Sequence, residues 1–365
     1  MYYELEQKHL TIHKQSYPYY SKEGLRDYPA PSLGAQLLLE AATPQGKVLD
    51  ASDSLGLSRA LFPQADIDVL SCSRAVKHCT DHTYPQRPCQ SAALWSVPPE
   101  HYDSLLFIPS FDKGNKRIEA ELQAAQRLLK PKGKAYVVFS KDGGAKRYER
   151  WLREYFGDSR VVARKSPWRL SEATKLHESV GSIDSELNFE ARGIACLSQV
   201  GVHAAGKTDP GTALLLDSID HAIFQGKSAL DLGCGYGLIS LSLASYAAKV
   251  YALDDDLLAV ESCQGNATRL GFDNICCAHS DVASGLEPSK RFDFVVCNPP
   301  FHIGKQVSFV VPKAFIQAAH HHLKTNGELF LVANKALPYE REFEAWGELE
   351  LLAQNQHFKV LRAKK

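Results

Sequence analysis

The feature that most limits how this chain can fold is that it is written twice. YDSLLFIPSFDKG (102–114) aligns without a gap with FDFVVCNPPFHIG (292–304), at an offset of 190. LGAQLLLE (33–40) aligns with PGTALLLD (210–217), and LKPKGKAYVVFSK (129–141) with LKTNGELFLVANK (323–335). GKVLDASDSLGLS (46–58) aligns with GKSALDLGCGYGLIS (226–240) after a slip of one or two residues. The blocks keep their order. A period this long means a duplicated domain, because solenoid repeats run to about 20–50 residues.

Each half alternates short apolar strands with helical patterns, which indicates βαβ units and an α/β fold with a parallel sheet. In the first half the pattern predicts a helix over 33–42, strands over 47–49, 67–70 and 104–108, a helix over 116–130 and a long strand within 129–141. In the second, Asp209-Pro210 reads as a helix N-cap followed by proline at the first helical position. Strands follow at 250–253, 275–278, 292–297 and 328–333, and the C-terminal run reads as an antiparallel hairpin that closes the sheet. The polar stretch 171–190 marks the boundary, giving domains 1–176 and 177–365. Residues 1–30 read as an irregular arm.

Composition excludes several classes. Lysine plus arginine equals aspartate plus glutamate at 42 each, so no global field draws the chain to a polyanion. No apolar run approaches the roughly 18 residues of a membrane span, and the N-terminus carries no secretory h-region. Nine cysteines without zinc spacing or a CxxC pair suit reduced thiols, a cytoplasmic location and no metal site. One local imbalance stands out. Residues 130–175 hold 13 basic and 5 acidic residues, with Trp151, Tyr155, Phe156 and Trp168 among them. A phosphate-binding face and a solvated helix face with core-directed aromatics both fit this segment, the second slightly better.

The differences between the copies locate the chemistry. Asp231-Leu232-Gly233-Cys234-Gly235-Tyr236-Gly237 follows a strand and opens a helix. Glycines there permit positive φ and close backbone approach to a ligand. The first copy has Ser52 and Ser54 in place of Gly233 and Gly235. Asp254 ends the next strand, where a carboxylate can hold ribose hydroxyls, and is followed by Asp255 and Asp256. Asp281-Val282 follows the third strand. The fourth strand stops at Asn298-Pro299-Pro300-Phe301, since proline cannot extend a ladder. This loop offers an amide oxygen, proline carbonyls and a ring, which suits a planar group bearing an amino substituent. The first copy has Ile108-Pro109-Ser110-Phe111, keeping the turn and losing the amide.

Together these motifs resemble the class I S-adenosylmethionine-dependent methyltransferases. The tandem arrangement, the GVxxxGKxDP lead-in (201–210) and the NPPFH loop are similar to the ribosomal RNA guanine-N2 methyltransferases of the RsmC type. One departure is Ile303, where a polar residue is expected. The resemblance implies two tandem Rossmann-like domains, each a seven-stranded mostly parallel sheet with a C-terminal antiparallel hairpin, the first degenerate. It implies S-adenosylmethionine as cofactor and small-subunit ribosomal RNA or the small ribosomal subunit as partner. Asp231, Gly233, Cys234, Gly235 and Gly237 would form the cofactor loop. Asp254 and Asp255 would face the ribose, and Asp281 and Val282 the adenine. Asn298 and Pro299 would hold the guanine N2, with Pro300 stiffening the loop and Phe301 stacking on the base. Cys297, like the thiol of Cys234, reads as packing. His203, Lys207, Asp209 and His302 are further candidates beside the site. Adenine-N6 or protein-glutamine methylation, and a non-catalytic S-adenosylmethionine-binding RNA module, remain open alternatives. Nothing in the sequence sets the oligomeric state, and a monomer is compatible with it.

Overall fold

The computed structural model describes residues 2–303, 306–344 and 346–365, and all their side chains except those of 142, 302, 303, 306 and 307. The chain forms two compact units: residues 3–185, and residues 186–365 together with Tyr2.

The first unit opens with a hairpin, β1 (Glu6–Ile12) and β2 (Gln15–Ser21). Residues 1–30 are therefore not an irregular arm. Leu10, Ile12 and Tyr19 alternate onto one face and are buried against Leu37 and Leu38. The turn, His13-Lys14, has positive φ at both residues (51° and 66°) and contains no glycine to announce it. The unit continues with α1 (Leu33–Ala41), β3 (Lys47–Ala51), α2 (Leu57–Leu61), β4 (Asp66–Ser71), α3 (Arg74–Thr83), β5 (Gln90–Ser91) and β6 (Tyr102–Phe107). Next come α4 (Asn115–Leu128), β7 (Leu129–Ser140), α5 (Ala145–Phe156), β8 (Gly157–Lys165) and β9 (Trp168–Lys175). Its seven-stranded sheet has the order β5-β4-β3-β6-β7-β9-β8. The basic segment spans the end of this series. α5 buries Tyr148, Leu152 and Phe156, while Lys146, Arg147, Arg150 and Arg153 face water.

The second unit begins with a hairpin that the polar lead-in did not suggest, β10 (Glu186–Ala191) and β11 (Ile194–Gln199). It proceeds through α6 (Pro210–Asp217), β12 (Ser228–Leu232), α7 (Leu238–Ala244), β13 (Lys249–Asp254), α8 (Leu257–Arg269), β14 (Ile275–His279) and β15 (Phe292–Cys297). The chain ends with β16 (His302–Ile303), β17 (Gln306–Val307), α9 (Val310–His322), β18 (Leu323–Asn334), β19 (Glu348–Gln354) and β20 (Phe358–Lys364). The sheet order is β14-β13-β12-β15-β18-β20-β19, which repeats the first sheet strand for strand. Four parallel pairs form its body, and β20 and β19 close it antiparallel. Leu230, Leu232, Val295 and Cys297 are fully buried, as expected for strands covered on both faces.

Each sheet has the same kind of clamp at its foot. In the first, Asp103 accepts from the Lys47 backbone N–H at 2.9 Å and from Lys130 Nζ at 2.8 Å. In the second, Asp293 accepts from the Ser228 N–H and from Lys324 Nζ, both at 2.9 Å. Gly133 and Gly327 lie beside these clamps, where an added Cβ would come within 2.9 Å of Lys130 O and 3.0 Å of Asp293 O respectively. The strongest parts of the repeat are thus the parts that start the parallel sheet.

Strand order reverses around β12, which pairs with both β13 and β15. Open α/β sheets bind ligands in the crevice at such a point. Register puts Leu232 level with Leu253 and with Cys297, so three loops leave the sheet along one edge. Asn266, fully buried on α8, fixes the surroundings of that edge. Its Oδ1 accepts from the Leu197 N–H, and its Nδ2 donates to Leu197 O and Tyr236 O, joining β11, α8 and the glycine loop. Asn266→Ala strands these groups and should lower the unfolding free energy of the second unit by about 2–3 kcal/mol, as measured by urea denaturation.

Candidate active site

The glycine loop that follows β12 folds back over the end of β13. The N–H groups of Gly233 and Cys234 both donate to Leu253 O, at 2.8 and 2.9 Å. Gly235 N–H donates to Asp254 Oδ2 at 2.9 Å, and Asp256 N–H donates to Asp254 Oδ1 at 2.9 Å. Asp254 is thereby held at the strand end, with each of its oxygens accepting a backbone N–H from the loops beside it. The carbonyl of Asp255 accepts from, or faces, His279 Nε2 at 2.7 Å.

Beneath the loop lies Asp231, fully buried. Its Oδ2 accepts from the N–H of Ser240 at 3.1 Å and from Ser240 Oγ at 2.7 Å, while Oδ1 has no hydrogen-bond partner among the described residues. Burial, resisted by the Ser240 bonds and reinforced by the nearby Asp254 charge, pushes its carboxyl up to about 7. The corresponding residue of the first unit, Asp50, has no such opening. Ser52 donates to one oxygen through its N–H and hydroxyl, and Ser54 and Ser58 donate to the other. The serines that replace the glycines complete the carboxylate from within the chain.

The loop after the middle strand shows the same contrast. In the first unit Ile108 packs against the core, Ser110 donates to Glu121, and Phe111 lies among Phe139, Tyr148 and Trp168. Arg26 pairs with Asp112 of the same loop. In the second unit Asn298 is half-buried, and its amide nitrogen donates to Asp209 Oδ2 at 2.9 Å and to Thr212 Oγ1 at 3.0 Å. Pro299 is buried, Pro300 exposed and Phe301 intermediate. Asn298 O lies 4.0 Å from the point where a Cβ on Gly233 would sit, so the amide loop and the glycine loop are neighbours.

Asp281 and Val282 follow β14 and are both buried, Val282 with φ of 51°. Tyr2, which groups with this unit, donates from its hydroxyl to Asp281 Oδ1 at 2.8 Å. The remaining candidates divide. Asp209 caps α6 through the Thr212 N–H at 2.8 Å, and its other oxygen lies 3.3 Å from His203 Nε2. Its own burial would raise its pKa, but the His203 and Thr212 hydrogen bonds outweigh that and hold it at about 2. The carbonyl of Lys207 accepts from the Tyr236 hydroxyl at 3.1 Å. The side chains of His302 and Ile303 lie outside the described ones. Cys234 gains a proton-releasing contact from Cys263, yet burial prevails and pushes its thiol up to about 12. Cys297 is raised by burial as well. Both thiols are therefore poor nucleophiles. Asn266, Thr212 and Tyr2 are the site neighbours that motif reading missed. Thr212 alone left a signal, since the aligned residue in the first copy is Ala35.

No group of three or more His, Cys, Asp or Glu that could hold a metal occurs among the described residues, and no helix among them is long and apolar enough to cross a membrane.

Comparison with known proteins accords with this geometry. The methyltransferase small domain model matches residues 193–362. A ribosomal RNA small subunit methyltransferase C from Cronobacter sakazakii is 40% identical over 166 residues, covering 45% of this chain and 47% of that protein. The chain thus spans about half the length of the first curated relatives it matches. The Salmonella newport protein of the same name is 34% identical over 251 residues, covering 67% of this chain and 71% of that one. The chain belongs to the ribosomal RNA small subunit methyltransferase C family. Among solved structures, the T. thermophilus 16S rRNA N2 G1207 methyltransferase (RsmC), in complex with AdoMet and guanosine, superposes with a TM-score of 0.90 at 30% identity. It covers 100% of this chain and 98% of its own. The two-sheet architecture is thus shared with that relative over the whole of this chain.

Two of the loop glycines, Gly235 and Gly237, do different jobs. Gly237 has φ of 97°, and a Cβ there would meet Cys263 Sγ at 2.7 Å. Gly235 has φ of 54°, and nothing approaches its Cβ position closer than 4.0 Å. Gly237→Ala should therefore destabilise the second unit by about 2–4 kcal/mol, and Gly235→Ala by only about 1–2 kcal/mol. Urea denaturation of the two variants compares them; equal losses would contradict this division.

Proposed function

We propose that the second unit transfers a methyl group from S-adenosylmethionine to the exocyclic N2 of a guanine in small-subunit ribosomal RNA. The observation that carries this reading is the edge of the second sheet, where the glycine loop, Asp254, Asp281 and Asn298 stand together, while in the first unit serines fill the glycine positions and Ile108 replaces the amide. The superposable T. thermophilus relative, described with AdoMet and guanosine, supports the same assignment.

The residues fit the cofactor. An unpartnered buried oxygen on Asp231 suits a cationic donor such as an α-ammonium, directly or through water. Gly233, Cys234 and Gly235 present backbone, Asp254 and Asp255 suit the ribose, and Asp281 and Val282 suit the adenine edge and face. S-adenosylmethionine, when bound, supplies an electrophilic methyl on a sulfonium. This chain's own part is to prepare the nucleophile. An aryl amine is weak because its lone pair is delocalised into the ring. Asn298 Oδ1 and the Pro299 carbonyl accept its two N–H bonds, which favours a pyramidal nitrogen with its lone pair exposed. Phe301 stacks on the base, and Pro300 limits the loop's freedom. Positioning and oriented dipoles of this kind account for large rate factors without covalent catalysis. The base leaves its stack at a cost of about a few kcal/mol.

The first unit, in this reading, is a scaffold that helps recognise RNA. Its exposed Lys146, Arg147, Arg150 and Arg153 on α5 form a basic strip suited to phosphates.

The assignment is tested with labelled cofactor offered to naked small-subunit RNA, small subunits, large subunits and protein, followed by digestion to nucleosides and amino acids. Label on N2-methylguanosine from small-subunit material is expected; label on N6-methyladenosine or glutamine would overturn the proposal. Asn298→Ala should abolish turnover and leave cofactor affinity intact by calorimetry.

Asp231 gives a pH dependence. A cationic donor favours its ionised form, so cofactor affinity should tighten as pH rises through about 7, the value to which burial lifts this carboxyl. Asp231→Asn should flatten that dependence in calorimetric titrations. Without ligand the sign for folding is opposite: the unfolded carboxyl ionises near 4, so this group's contribution to stability falls as pH climbs from there toward 7.

A further inference from the structure

The reading of Asn298 as acceptor leaves a question of orientation. A carboxamide can present either its oxygen or its NH2 to a substrate amine, and only the oxygen can accept. Both N–H bonds of Asn298 are used inside the protein, one to Asp209 Oδ2 at 2.9 Å and one to Thr212 Oγ1 at 3.0 Å. We propose that Asp209 and Thr212 are positioning residues that lock the Asn298 amide with its oxygen toward the substrate. An ionised carboxylate has no proton to give, so a flipped amide would set oxygen against oxygen at Asp209. Thr212 can donate to a flipped amide, so the carboxylate decides the sense and the hydroxyl completes it. Asp209 remains ionised throughout the neutral range, because hydrogen bonds from His203 and Thr212 outweigh its burial.

The duplication supplies an independent argument. The residues aligned with Asp209, Thr212 and Asn298 are Ser32, Ala35 and Ile108. Ser32 still caps its helix, accepting from the Ala35 N–H at 3.3 Å. Capping therefore needs only a hydroxyl at this position. A carboxylate at 209 and a hydroxyl at 212 occur in the copy that has an amide to orient, and neither occurs in the copy that does not. Their shared purpose is the amide, rather than the helix.

This rests on the proposed role of Asn298, and the test separates the two. Asp209→Ser and Thr212→Ala install the first copy's residues and leave the cap in place. Steady-state turnover on small-subunit RNA, the KM for S-adenosylmethionine and the thermal midpoint are measured for each, beside Thr212→Ser and Asn298→Ala. Asp209→Ser should lower kcat about 10- to 100-fold, the range of a hydrogen bond involving a charged group, and Thr212→Ala about 3- to 10-fold, the range of a neutral one. The cofactor KM and the thermal midpoint should not change, and Thr212→Ser should retain wild-type turnover. Wild-type kcat in Asp209→Ser or Thr212→Ala, with Asn298→Ala inactive, would overturn the positioning role and leave the role of Asn298 standing. A fall in kcat matched by a fall in thermal midpoint, with Thr212→Ser equally impaired, would also overturn it, in favour of a structural role. Wild-type turnover in Asn298→Ala would remove the acceptor reading itself, and this proposal with it.

Discussion

One buried carboxylate, placed at the end of the first parallel strand of each sheet, governs what the loop above it can be. A carboxylate in a protein interior must be hydrogen-bonded or lose its charge. Asp50 meets that demand with three serine hydroxyls and a backbone N–H. Asp231 meets half of it with Ser240, and holds its remaining oxygen under glycines. Serine side chains fill the space over the first carboxylate, whereas glycines keep the second loop thin. The choice between a closed turn and an open one is thus made at two positions, 52 and 54 against 233 and 235.

The same logic holds at the other loops along that edge. Where the first unit has lost a group that would address a ligand, its own chain occupies the ground. Ile108 joins the core, Ser110 is tied to Glu121, and Phe111 is packed among aromatic rings. The second unit keeps the amide and holds it through Asp209 and Thr212. Comparing the two within one molecule separates folding from chemistry more sharply than either would alone, because solvent, chain length and topology are shared.

Much of this was legible in the sequence. The central parallel strands announce themselves through apolar runs ending in aspartate or proline, and the repeat shows that the design occurs twice, whereas the short β5 and the hairpin β8–β9 of the first sheet were not legible. Asp209-Pro210 reads directly as a helix start, because the cap is a local event. The hairpins β1–β2 and β10–β11 were not legible. Their strands are polar on one face, and the His13-Lys14 turn uses positive φ without glycine. The bonds from Asn266 to Leu197 and from Asn298 to Asp209 span 69 and 89 residues. No periodicity encodes such contacts; they exist only once the sheet has brought its strand ends together. The basic segment was half legible: it is spread over several elements, and on the one helix among them α5 turns four of the charges to water and Tyr148 and Phe156 to the core.

The clamps at the foot of each sheet, Asp103 with Lys130 and Asp293 with Lys324, lie at the opposite end of the strands from the glycine loop, Asp254 and Asn298. Foldability and reactivity are consequently under separate mutational control. A copy can drift at its upper edge, lose its activity altogether and remain a stable body, free to be selected for another task such as holding a large substrate. Retention of a twin whose upper edge is filled by its own side chains is a natural outcome of that separation, and the same separation makes the upper edge of either sheet a place to graft new specificity.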